Sequence, residues 1–586
     1  MPYDYIIGIY ESGDYRAELH EWTEVDVQPE YKDFRIQDEF HATGRAGEPF
    51  ATHLRGEIQL SIYDSGNYYR DKFKDFAPGR YYLKIVDGDS TRYGWPISSY
   101  ISSKFWKSTT IKTFIFSDGI TTLKAQPNDY TSPIELGDFF YQLLADIGVE
   151  LPLNVLFNYK HYGAVGTAGL EVQQVQIMPS DFVHHLKSPT KYDVLMAVLN
   201  HFKNLQIWQQ DGEWYIAQRS ARSSSETWAR CVSGAWSTYS ASPDLSIARQ
   251  DVRSQSTEDM EFPGVNSITR DVTLKPIPFE TLNPQFAEWD TGDPESWEVN
   301  GSSVQIIGPP TGVRINNDTD VVAQVLPRIL YGNSTVRCQV EGSIRFVEGM
   351  PTNDYTGGVA RIKQTNMLTG TVSYLKNDGT LGSDEFLSVT QFLNGSAVDT
   401  TFNFDIEFEA GGAFFVYELI LQFDGDTSAI GYIEYYNVEL SPVNIESQKV
   451  SVSYLAEQNT FSLFESETDS AYLDDLSKIN YDPGIYFWDG SNWQKAEDWS
   501  NDGSAINLHS VVLKDYLEQL SKVNQGYRLQ LPLNFSSDLT SLATVWIDSG
   551  KQFTVYYRSR SLGSRSQILE LCELSSGSAT AGQVVE

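Results

Sequence analysis

Cysteine is scarce: Cys231, Cys338 and Cys572 are the only three in 586 residues, and they lie far apart in sequence. An odd number at such spacing argues against a disulfide framework or a zinc site, so buried free thiols are expected. Basic residues are also few, 43 Lys and Arg against 78 Asp and Glu, for a formal net charge of −35. That balance argues against a nucleic-acid surface, because phosphate contacts are made by Lys and Arg. It keeps a protein soluble and suits either an ordinary acidic surface or a saline setting, where salt screens the self-repulsion. No apolar run of about 18 residues is present, so no membrane span is expected. The opening Met1-Pro2-Tyr3-Asp4 lacks the basic region of a secretion signal. No H-E-x-x-H, G-x-S-x-G, P-loop or Cys/His cluster occurs, and no catalytic residue, resident cofactor or enzyme activity is expected. The eight histidines are scattered, and the adjacent pair His184-His185 reads as packing rather than as metal ligands.

What the chain has is aromatics: 34 Tyr, 30 Phe and 13 Trp, which suit pleated, half-buried surfaces. Up to about Leu123 the pattern is β. Ile58, Leu60 and Ile62 alternate with polar neighbours, as do Tyr81, Leu83 and Ile85 before a turn at Asp87-Gly88. The period then changes. "SPIELGDFFYQLLADIG" predicts a helix with a Ser132/Glu135 capping box, Pro133 in its first turn and Gly148 as its stop. "TKYDVLMAVLNHF" predicts a second, with Tyr192, Leu195, Val198, Leu199 and Phe202 on one face. It runs into "LQIWQQDGEWYIAQ", a hairpin whose Asp211-Gly212 suits a type I′ turn. From Leu282 clean alternation returns. Phe402, Phe404, Ile406 and Phe408 face one way, opposite Asn403, Asp405, Glu407 and Glu409; Phe415, Tyr417, Leu419, Leu421 and Phe423 repeat the pattern. A polar outer face of this kind implies antiparallel sheets with one side solvated. A late helix is expected in "SVVLKDYLEQLSKV", followed by further strands.

The order of these pieces resembles the tail-tip or baseplate hub proteins of tailed bacteriophages, particularly Bacteroidetes-type prophage tail proteins. Four stretches carry the resemblance: "GEPFATHLRGEIQLSIYD…GRYYLKIVDGDSTRYGWPI", "SPIELGDFFYQLLADIGVEL", "SPTKYDVLMAVLNHFKNLQIWQQDGEWYIAQRS" and "LKDYLEQLSKVNQGYRLQLPL…WIDSGKQFTVYYRSRS…ILELCEL". Between them, "NPQFAEWDTGDPESWEV" and "GYIEYYNVEL" are similar to the opening and closing of jelly-roll carbohydrate-binding modules, although Ala287 stands where an acidic residue usually follows the Phe.

The resemblance implies a mainly β chain with a small α+β module, two hub-type β-barrel domains and an inserted jelly-roll β-sandwich. The expected boundaries are 1–128 for the first barrel and 129–221 for the helix-hairpin module. The second barrel, with its helix and aromatic hairpin, is split into 222–280 and 443–574, the insertion occupies 281–442, and 575–586 is a flexible tail. It implies a structural virion component at the tail tip: a homotrimeric ring that continues and closes the tail tube. The implied partners are a distal tail or tube protein, a tape-measure protein and tail-fibre proteins, with a host surface glycan as a further candidate. The alternative is a secreted glycan-binding or glycan-active protein with a jelly-roll module, since acidic pairs are plentiful enough for glycoside chemistry.

Trp289, Trp297, Trp488 and Trp493 are the candidate glycan contacts, because indole faces stack on sugars. The competing reading is a core or edge aromatic of a jelly roll for the first two and a cross-strand hairpin pair for the others. Calcium in the insertion is implied only by the similarity to such modules. The oxygen-rich loops Asn316–Asp320 and Asp424–Ser428 are candidates for it, although neither fits an EF-hand and both also read as ordinary turns.

Overall fold

The computed structural model describes most of residues 3–585; the longest stretches outside the description are 162–169, 423–431, 456–465, 472–484, 501–510 and 575–583. The chain divides into two compact units. One comprises Met1–Asp271, Ser451–Asp469 and Tyr486–Glu586, the other Val272–Val450 and Ser470–Ile485. The fold is mainly β, with a few short helices.

In the first unit, alternating strands build a 14-stranded sheet. Its main path runs through Tyr3–Ser12, Tyr15–Thr23, Tyr81–Asp87, Ser90–Pro96, Thr109–Ser117, Gly56–Tyr63 and Ile36–Thr43. It continues through Phe553–Ser561, Ser566–Glu573, Asn524–Pro532 and Thr257–Phe262. The junction is the antiparallel pairing of Ile36–Thr43 with Phe553–Ser561, Phe40 opposite Ser561 and Thr43 opposite Arg558. The early and late β regions, expected as separate barrels, are thus joined edge to edge, and among the described residues the path does not close into a ring. Each half nevertheless has its own core. Ile58, Leu60, Ile62, Leu83, Ile85 and Phe114 belong to the early one, and Leu529, Leu531, Val555, Leu569 and Leu571 to the late one.

Beside this sheet stands a five-stranded sheet in the order Leu205–Gln210, Glu213–Gln218, Leu153–Leu156, Glu226–Val232, Ala235–Ala241. It continues past residue 221 because Leu153, Asn154 and Val155 pair with Cys231, Arg230 and Ala229. The hairpin turn has φ of 50° at Asp211 and 77° at Gly212, the left-handed pair that a type I′ turn requires. The hairpin does more than cover the preceding helix: Trp208 and Ala217 enter the late core with Leu529 and Leu569.

The two helices differ from expectation in detail. The first spans Leu136–Ala145 and has no side-chain cap. Ile134 and Glu135 pair instead with Ile177 and Gln176, and Leu136 N–H donates to Val175 O at 2.9 Å, so a strand satisfies the donors that Ser132 was expected to cap. The second, Lys191–His201, is held by a Thr190/Asp193 capping box. Its buried face uses Val194 with Leu195, Val198 and Leu199; Tyr192 is half-buried, with Lys124 Nζ 4.3 Å from its ring centre. Most of the expected late helix lies outside the described residues, but Val511 and Val512 are helical and buried.

The second unit contains a β-sandwich. A five-stranded sheet runs Val304–Ile307, Gly312–Ile315, Tyr432–Pro442, Gly332–Val347, Val398–Gly411, and a seven-stranded sheet is built around Val321–Val325, Phe415–Leu421 and Asp354–Asn366. Both contribute to one core: Val340, Ile406 and Ile433 from the first, Val322, Ile362 and Leu419 from the second. The predicted alternation holds. Phe402, Ile406 and Phe408 are buried, Phe404 is half-buried, and Asn403, Asp405 and Glu407 are exposed. Phe408 meets Tyr417 of the opposite sheet with ring centres 5.5 Å apart.

Candidate functional site

The second unit holds two tryptophans, Trp289 and Trp297. Trp297 is 4% exposed in the sandwich core, its ring 5.0 Å from that of Phe286. Its Nε1 donates to the carbonyls of Leu282 and Asn283 at 3.1 and 3.2 Å. The expectation that Trp297 contacts a glycan is therefore corrected: a ring with its faces packed and its N–H satisfied by backbone anchors the start of the sandwich. Trp289 pairs through its backbone with Pro294 in a short hairpin. Trp488 and Trp493 stand directly opposite each other in an antiparallel pair, the cross-strand arrangement that the sequence suggests.

Among the described residues no group of three or more His, Cys, Asp or Glu side chains is arranged to hold a metal ion. In the loop ending at Asp320, Asp320 N–H donates to Asn317 O at 3.2 Å, the bonding of a turn. Residues 424–428 and His184-His185 lie outside the described residues. Among the described residues no helix is long and apolar enough to cross a membrane.

A dense polar cluster lies in the first unit, where the two halves of the large sheet join. Glu39 and His41 come from Ile36–Thr43, Arg92 from Ser90–Pro96, Arg558 and Arg560 from Phe553–Ser561, and Gln209 from the hairpin strand. Glu39 is 1% exposed. It accepts a hydrogen bond from the Tyr15 hydroxyl, and burial pushes its carboxyl above the usual range. Arg92 Nη1 lies 2.9 Å from His41 Nδ1 and 3.0 Å from Nε2, and Nε2 lies 2.6 Å from Glu39 Oε1. Burial, then Arg92, Arg560 and Arg558, holds His41 well below its ordinary value, so the ring is neutral. Arg560 Nη1 lies 2.9 Å from Asp87 Oδ2. Tyr93 N–H donates to Gln209 Oε1 at 3.1 Å and docks the hairpin onto the early strands.

None of these residues stands out in the sequence. One signal was there: in "VYYRSRS" Arg558 and Arg560 are two apart on a strand, which places two cations on one face. Nothing local tells that Arg92 and His41 would face them.

No protein-family model and no curated protein matches the sequence. Solved structures similar to nearly the whole chain include two phage tail proteins. A tail protein from Neisseria meningitidis is 8% identical, with a TM-score of 0.34 over 95% of this chain and 96% of that one. A prophage tail protein from Listeria monocytogenes is 7% identical, with a TM-score of 0.31 over 95% and 92%. The inserted sandwich is similar to carbohydrate-binding modules. The C-terminal family 22 module of Clostridium thermocellum Xyn10B is 15% identical, with a TM-score of 0.18 over 26% of this chain and 89% of the module.

Proposed function

We propose that this chain is a structural hub subunit of the tail tip or baseplate of a tailed bacteriophage. In this reading it assembles as a homotrimeric ring that continues and closes the tail tube and supports host-facing components. Its partners are a distal tail or tube protein, a tape-measure protein and tail fibres, and its place is the virion. The observation that carries the reading is the pairing of Ile36–Thr43 with Phe553–Ser561, which makes one sheet over two separate cores. A subunit with two β halves side by side can contribute two segments to a ring, so that three copies match a sixfold tube. The order of elements in the sequence supports the same reading.

The work of such a subunit is assembly, and it asks for no reaction. The sandwich then serves as a docking module for a neighbouring tail protein, ahead of a host glycan. Particle imaging of assembled tails with an antibody to this chain, together with sedimentation of the purified protein at raised salt, tests the proposal. Three copies at the tail tip are expected. A single copy per tail, or label away from the tip, overturns it. Peptidoglycan and polysaccharide hydrolysis should stay at background; a turnover abolished by one Asp or Glu substitution would revive the glycan-active alternative.

A further inference from the structure

At the sheet junction, the side chains of His41, Arg92, Gln209, Gln210, Arg558 and Arg560 line a cavity of about 30 Å3. That is room for at least one small occupant. The lining is rich in donors. Gln209 is 8% exposed, and among the described residues its Nε2 has no hydrogen-bond partner, nor does Arg560 Nε. Three guanidinium groups converge on His41; of the carboxylates near them, Asp87 pairs with Arg560, Glu39 is engaged by Tyr15 and His41, and Asp211 also acts on Arg92. His41 adds no charge, because burial and the neighbouring guanidinium groups hold it well below its ordinary value. The crowding has an electrostatic signature: burial and the neighbouring Arg560 hold the Arg92 guanidinium below its ordinary value. Donors facing a cavity amid like charges are stabilised by a counter-ion in the space they enclose.

We propose that this cavity binds one monatomic anion of chloride size, held by Gln209 and the guanidinium groups of Arg92, Arg558 and Arg560. The ion ties together three parts of the chain: the early strands, the hairpin and the late strand Phe553–Ser561. The site would make the stability of an acidic protein depend on a specific anion as well as on ionic strength.

The test is calorimetric unfolding of the full chain at constant ionic strength, with gluconate replaced stepwise by chloride, bromide or phosphate. Chloride and bromide should raise the melting temperature by about 1–3 °C and then saturate, as expected for a ligand that binds only the folded state. Phosphate should have no effect beyond gluconate. The saturable rise should vanish in Arg560→Gln and in Gln209→Leu; the second variant keeps the charges and serves if the first fails to fold. Bromide-soaked crystals should show an anomalous peak between Gln209 and Arg560. An equal response to every anion, a rise with phosphate alone, an unchanged rise in Gln209→Leu or an absent bromide peak overturns the proposal.

Discussion

Thr281 and Leu440, 159 residues apart, bond to each other twice: Thr281 N–H donates to Leu440 O at 3.0 Å, and Leu440 N–H donates to Thr281 Oγ1 at 3.1 Å. The start and the end of the inserted sandwich therefore meet, as the ends of a self-contained domain often do. Replacing residues 282–439 by a short Gly-Ser linker should leave the first unit folded. The check is whether the shortened protein unfolds cooperatively and still buries Cys231 and Cys572. A chain without a transition would show that the sandwich is needed for the first unit to fold.

Core truncations in the sandwich should follow burial. Phe408 is 3% exposed and packs on Tyr417, so Phe408→Ala should cost about 3–5 kcal/mol. Phe404 is only half-buried and Phe404→Ala should cost clearly less, although alternation alone ranks the two equally. Urea unfolding of both variants decides; equal losses would contradict the packing described.

Glu21 sets an acid limit to stability. It is 2% exposed; burial alone would raise its pKa, but hydrogen bonds from Lys72 at 2.8 Å and Arg80 at 2.6 Å outweigh this and hold it below its ordinary 4.5. A depressed folded value means the contribution is complete above the unfolded pKa and is lost as pH falls through 4.5 toward the folded value. Glu21→Gln should cost about 1–3 kcal/mol at neutral pH and flatten the acid limb of the stability profile. A variant with the wild-type acid slope would assign that limb to other carboxylates.

The thiols should be inert in the folded protein. Cys231, Cys338 and Cys572 are all buried and free. Burial pushes Cys231 up to about 11 and Cys338 to about 12, so little reactive thiolate forms at neutral pH. An aromatic disulfide reagent should react slowly in native buffer and label three thiols per chain in denaturant. Rapid native labelling of any one would contradict its burial.

Much of the local structure was legible in the sequence. Period-two alternation placed Ile58, Leu60 and Ile62 and the Phe402–Phe408 face because a strand buried on one side has to alternate. Asp211-Gly212 marked its turn because few other residues tolerate two successive positive φ values. The composition, with few basic residues and isolated cysteines, bounded the chemistry. Tertiary structure decided what depends on partners. The helix at Leu136 starts late because a strand took the backbone donors of its expected first turn. Trp297 became a core anchor because Phe286 and the Leu282 carbonyl were placed against it. The junction of Arg560 with Asp87 and of Phe40 with Ser561 joins residues roughly five hundred positions apart. Pairing over such a distance leaves no local pattern: it is selected by the packing of both cores against the entropy of closing a long loop, a balance that exists only in the folded chain.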